Sequence, residues 1–151
     1  MKTSSHGNHY ARLLIMTLLS FISMYVLMYA MVDRVANALP NLNQVYMAAL
    51  MTAPMVIIEV LLMSAMYQDK RWNAAILALA AVTGIAMFAL IRQQTAIGDR
   101  QFLRSMIPHH AGAILMCGQA PVRDPEIIDL CRNIIASQQR EIDQMKAILA
   151  K

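Results

Sequence analysis

The segment MIPHHAGAILMC, Met106 to Cys117, gathers two adjacent histidines, two methionines and a cysteine into one short stretch. On a helix, residues three, four and seven apart share a face, so Met106, His109, His110, Ala113, Met116 and Cys117 fall on one broad stripe. Imidazole, thioether and thiol groups are metal donors, and their softness selects the ion. Zinc sites take cysteine, histidine and carboxylate but not thioether, and calcium and magnesium take oxygen. The combination points to copper, above all its reduced ion, with silver as an ion of similar softness. A packed seam is the plainer alternative, since methionine and cysteine are ordinary core filler. That alternative suits Met116 and Cys117 better than the histidines. One of two adjacent rings must enter the seam, and a buried ring needs a partner.

The elements that must position this stripe form a helical hairpin over 92–151. Gly118 to Pro121 breaks the first helix, and Asp124-Pro125 opens the second as N-cap and first-turn proline. In the second helix Ile128, Cys131, Ile135, Gln138, Ile142, Met145 and Leu149 alternate three and four apart, a heptad seam. The first helix offers Phe102, Met106, His109, Ala113 and Met116 at the same alternation. Two helices of this length bury too little surface alone, so the hairpin is expected to pair with a second copy into a four-helix bundle or to lie on the membrane spans upstream. With a turn centred near Val122, Met106 lies opposite Gln138, and Glu141 is about a turn away. Gln138 is then either a hydrogen-bond partner for a metal-bound histidine or a register-setting polar residue. The same register offsets Cys117 and Cys131 by roughly 6 Å along helices standing about 8–10 Å apart. Free seam thiols are therefore expected first, a disulfide second and a metal site third.

Upstream, the chain changes character. Of the 151 residues 58% are hydrophobic and 15% charged, and the mean hydropathy is +0.47, which places the protein in a membrane class. The runs 13–32, 45–67 and 74–91 are each long enough to cross a hydrocarbon core of about 30 Å. They leave an N-terminal arm over 1–12. The tripeptide at 36–38 looks like a signal cleavage site, but the apolar run before it is too long for a signal peptide and ends at Asp33-Arg34. Basic residues near the span ends divide evenly between the two sides, Lys2, Arg12, Lys70 and Arg71 against Arg34, Arg92, Arg100 and Arg104. The nearer placement of Arg12, Lys70 and Arg71 tips the orientation toward a hairpin outside the cytoplasm. The net charge of +4 forms no basic patch, so nucleic acid is not an expected partner. Nor is a nucleophile–base pair visible, so an enzyme is not expected.

Inside the spans, Met47, Met51, Met55, Glu59, Met63 and Met66 follow one another at helical steps, among 14 methionines in all. An intramembrane carboxylate costs about 2.5–3.5 kcal/mol on insertion scales, so Glu59 is expected to be protonated or paired, with Tyr25, Tyr29 or Thr83 as partners. Its functional reading is a cation or proton step beside a thioether ladder. His6 and His9 add two imidazoles near the N-terminus.

The pairing of FLRSMIPHHAGAILM with IIASQQREIDQMKAIL resembles the bacterial family known as domain of unknown function 305. The resemblance covers roughly residues 99–149. It implies a ferritin-like helical bundle, here half a bundle, and copper binding in the service of copper tolerance. By position it implies Met106, His109, His110 and Met116 as the metal motif and Met145 as the recurrent later methionine. The expectation is thus an all-α protein, three transmembrane helices followed by an amphipathic hairpin, in a bacterial inner membrane with the hairpin on the extracytoplasmic side. Its expected work is copper binding, with the bilayer, a second copy of itself and copper-handling proteins as partners. Cys117, Cys131, Gln138, Glu141 and Met145 are further candidates around the site. Two alternatives stand beside it: an oligomeric copper or cation transporter built on Glu59 and the methionine ladder, and a structural association module.

Overall fold

In the computed structural model, which describes residues 4–151 (side chains from residue 9 onward), the protein is all-helical among the described residues. Five α-helices follow in order: α1 Ser4–Leu27, α2 Leu42–Leu62, α3 Lys70–Gln93, α4 Asp99–Gln119 and α5 Pro125–Leu149. Two 3-10 turns, Met28–Met31 and Val35–Asn37, lie between α1 and α2. The chain divides into two compact units. One holds α1 with Val45–Thr95, and the other holds Met28–Gln44 with Ala96–Lys151.

Three helical segments, most of whose residues belong to the first unit, are long and apolar enough to cross a membrane: His9–Met31, Leu42–Leu62 and Lys70–Gln93. Their outer faces carry exposed Leu14, Leu18, Ile22, Leu61, Leu79 and Ile85, apolar side chains that cost nothing against lipid. The interior is a small cluster of Leu13, Val56, Val60, Tyr67 and Ala80, with Met16, Met55 and Ile76 around it. Lipid tails are as apolar as leucine, so spans associate by close packing of small residues. Gly84 illustrates this: a Cβ there would stand 3.4 Å from that of Ala53 on α2. The limits of the spans differ from those of the apolar runs. The second helix ends at Leu62 rather than at 67, and Met63 to Met66 form a turn closed by Met66 N–H donating to the Met63 carbonyl at 2.9 Å. The third begins at Lys70, before the charge-free run, because the Asp69 side chain accepts from the amides of Arg71 (2.9 Å) and Trp72 (3.2 Å). An N-cap tolerates charged residues in the first turn that a search for charge-free residues passes over.

The second unit is the hairpin of α4 and α5 with a strap laid on it. Asp124 caps α5 as its sequence foretells, accepting from Glu126 N–H at 2.8 Å and Ile127 N–H at 3.3 Å, with Pro125 in the first turn. Replacing Asp124 by alanine is expected to cost about 1 kcal/mol, read as a lowered thermal midpoint with unchanged helix content at low temperature. Between the helices Ile107 and Ile142 are fully buried, with Ala111 and Met145 beside them. Met28–Gln44, placed by sequence among the spans, packs on this core through Val32 and Leu39. It is tied down by polar contacts that satisfy its irregular backbone and side chains. Leu42 N–H donates to Gln101 Oε1 at 3.1 Å, Asn43 to Ser105 Oγ at 3.2 Å, and Lys146 Nζ to Asn37 Oδ1. Gly112 sits under the strap, where a Cβ would meet the Met31 carbonyl at 3.4 Å.

Candidate metal centre

Helix α4 runs unbroken through Pro108, which is buried, so the histidines stand on continuous helix. Their environments differ. His110 is 6% exposed, while His109, one position back and about 100° round the helix, is exposed. The ring of His110 is held at both nitrogens. Nδ1 donates to the Met106 carbonyl one turn earlier at 2.8 Å, and Nε2 stands 2.6 Å from Glu141 Oε2 on α5. Imidazole nitrogen and carboxylate oxygen at that distance share a hydrogen, because two bare lone pairs would repel. The Glu141 side chain is half exposed, so water reaches this pair from the carboxylate side. The two imidazole rings meet edge to face with centroids 6.0 Å apart. Met106, whose carbonyl orients His110, is partly buried against the hairpin core.

Other candidates lie elsewhere. Met116 is 53% exposed and seven residues beyond His109, about 10 Å along the axis, too far to reach an ion held by His109. Met145 is core filler beside Ile142. Cys117 and Cys131 form a disulfide with Cα atoms 5.1 Å apart, which corrects the expectation of free thiols and removes both sulfurs as thiolate ligands. The error lay in the register. Ala120 and Asp124, at the ends of the linker between α4 and α5, are both extended, so the linker advances along the hairpin as well as across it. Helix α5 is thereby shifted by about four residues, roughly 6 Å, from the symmetric turn assumed at Val122. The same shift carries His110 from the level of Ile134 to that of Gln138, within one turn of Glu141, and it is the Glu141 carboxylate that meets the ring.

In the first unit, Glu59 lies in the last turn of α2 and accepts from the Tyr67 hydroxyl at 3.4 Å. Tyr67 was not among the partners foreseen, since the end of the helix brings it back onto the core. Met47 and Met51 face outward at 42% and 46% exposure, whereas Met55 packs inward. His9 Nδ1 is buried without a hydrogen-bond partner. The side chain of His6 falls outside the described residues. Among the described residues no three His, Cys, Asp or Glu side chains converge on one point.

These features define a class: an all-helical protein with three helices of membrane-crossing length and a disulfide-stapled hairpin bearing a bonded His110–Glu141 pair beside an exposed His109. A family model described as "Domain of unknown function (DUF305)" matches residues 78–149, from the middle of α3 through α5. The chain is also similar to "Uncharacterized protein L153" of Acanthamoeba polyphaga mimivirus, 34% identical over 140 residues, covering 91% of this chain and 90% of the viral one. The chain belongs to the DUF305 family. No solved structure matches it.

Proposed function

We propose that the protein binds copper at the membrane surface through His109, His110, Glu141 and Met106, holding the ion on the hairpin rather than acting on it as an enzyme. The observation that carries the reading is the contact of His110 Nε2 with Glu141 Oε2 at 2.6 Å, behind a ring fixed at Nδ1 by the Met106 carbonyl. Imidazole orientation by a carbonyl is how histidine ligands are prepared for a metal. The hydrogen shared by His110 and Glu141 occupies a place where a cation would be held by nitrogen and oxygen together. Glu141, being half exposed, can move to admit one without unfolding the helix. Exposed His109 and the thioether of Met106 lie on the same side of α4. Imidazole with thioether favours copper, and the carboxylate extends the set to its oxidised ion.

The Cys117–Cys131 bridge supports placing the hairpin on an oxidising, non-cytoplasmic side of a membrane. For transport, α2 offers outward-facing Met47 and Met51 and a carboxylate already hydrogen-bonded at the helix end, so a pathway would need walls from other chains. Titration of the detergent-solubilised full chain with copper tests the binding reading. Glu141→Gln is expected to weaken affinity about 10- to 100-fold, as loss of a group supporting a metal ligand does elsewhere. Glu59→Gln is expected to leave it unchanged. Equal affinity for Glu141→Gln and wild type would show that the His110–Glu141 pair is only a structural link.

A further inference from the structure

The hairpin is a two-helix layer, and its two faces are unequal. The strap occupies one, through Gln101, Gly112 and Lys146. The other is open. On α4, Phe102 and His109 lie seven residues apart on one line, with Phe102 50% exposed. On α5, Ile134, Glu141 and Ile148 repeat at the same spacing, with Ile148 45% exposed and Leu130 beside them at 56%. Seven-residue spacing drifts only about 20° per repeat, so each line stays on one face. The bond from His110 to Glu141 brings the two lines together on the side away from the strap.

We infer that this open face docks against the same face of a second copy, and that the paired His109 and Glu141 side chains complete one copper site between the two chains. The second part rests on the copper reading above; the first does not. Phe102, Leu130 and Ile148, large apolar side chains exposed on one face, mark a surface for a partner. The polar residues at its centre decide which. Laid on a bilayer, the face would press the exposed His109 imidazole and the water-facing half of the Glu141 carboxylate toward hydrocarbon, which offers neither a hydrogen bond. Turned to its own copy about a two-fold axis, it sets apolar ends on apolar ends and brings each His109 toward Glu141 of the other copy. The result is a four-helix bundle with its polar donors inside. One chain alone falls short of a site, because no three His, Cys, Asp or Glu side chains converge among the described residues. Two chains supply two exposed imidazoles and two half-exposed carboxylates at one level.

The test uses the full chain in detergent, with mass measured by sedimentation and copper counted per chain. Wild type is expected to be a dimer holding one copper per two chains. The double variant Phe102→Glu with Leu130→Glu is expected to be monomeric, with unchanged helix content and at least tenfold weaker copper binding. His109→Ala is expected to stay dimeric while losing copper, which separates the interface from the metal. In Ala113→Cys, whose new thiol lies one turn from His109, a short bis-maleimide is expected to link two chains. A monomeric wild type, or one copper bound per chain, overturns the shared site. A dimer that survives the double glutamate variant overturns this face as the interface. Quenching of a fluorophore on Ala113→Cys by brominated lipid would assign the face to the bilayer and overturn the proposal. A dimer through this face that takes no copper would overturn the metal reading and leave the interface standing.

Discussion

Replacing His109 and His110 together by alanine is expected to abolish tight copper binding by the full chain. The two substitutions act through different physics, which lets the result be apportioned. His109 is exposed, so His109→Ala removes a free imidazole and nothing that the fold needs. Alanine is the best helix former, so helix content is expected to stay the same and the thermal midpoint to move little. His110 is buried and bonded at both nitrogens. Its removal returns Glu141 to water and leaves a small void, at a cost of about 1–3 kcal/mol without metal. Copper raises the melting temperature only of a protein that binds it, by an amount that grows with the ratio of free ion to Kd. Wild type should therefore melt higher with copper, His109→Ala should lose most of that increment, and the double variant should lose all of it from a lower starting point. If histidine served only as structure, the double variant would melt lower and copper would shift no variant differently from wild type. Calorimetric titration beside the melts decides the matter; equal affinity in wild type and double variant ends the copper reading.

Removing the Cys117–Cys131 bridge is expected to be the most destabilising change to the hairpin that leaves its apolar core intact. The bridged residues are 14 apart in sequence, and closing a loop of that size stabilises by roughly 3 kcal/mol on the chain-entropy model. The hairpin has few other resources, since its fully buried side chains are Ile107, Ala111 and Ile142. Cys117→Ser with Cys131→Ser, or a thiol reductant on wild type, is expected to lower the thermal midpoint of the hairpin and broaden its melt. The bridge also fixes the register that sets His110 against Glu141. Reduction is thus expected to weaken copper binding as well, whereas a stabilising role for the bridge alone would leave affinity unchanged in the cold. A midpoint indifferent to reductant would mean that the helix seam holds the hairpin by itself.

Three apolar runs, a cap and a heptad rhythm were legible because each is local. Hydrophobic length sets a span whatever lies beside it, and Asp124 before Pro125 opens a helix by bonding its own next residues. The adjacent histidines announced that one ring must be buried and partnered, and His110 is. What the chain does not write locally is which residue meets which. The partner of His110 depended on the path of the linker ending α4 and opening α5, whose extended ends shift α5 by about a turn. A seam alternating three and four apart accepts either register nearly as well, so periodicity could not foretell that His110 would stand level with Gln138 and within a turn of Glu141. The disulfide followed from the same choice. Nothing in Met28–Gln44 marks it as a strap, because its anchors, Asn37 on Lys146 and Leu42 on Gln101, join residues remote in sequence. Residue types and their spacing along a helix thus determined the elements and the stock of metal donors. Tertiary structure decided which donors meet, because that depends on loop geometry and long-range packing.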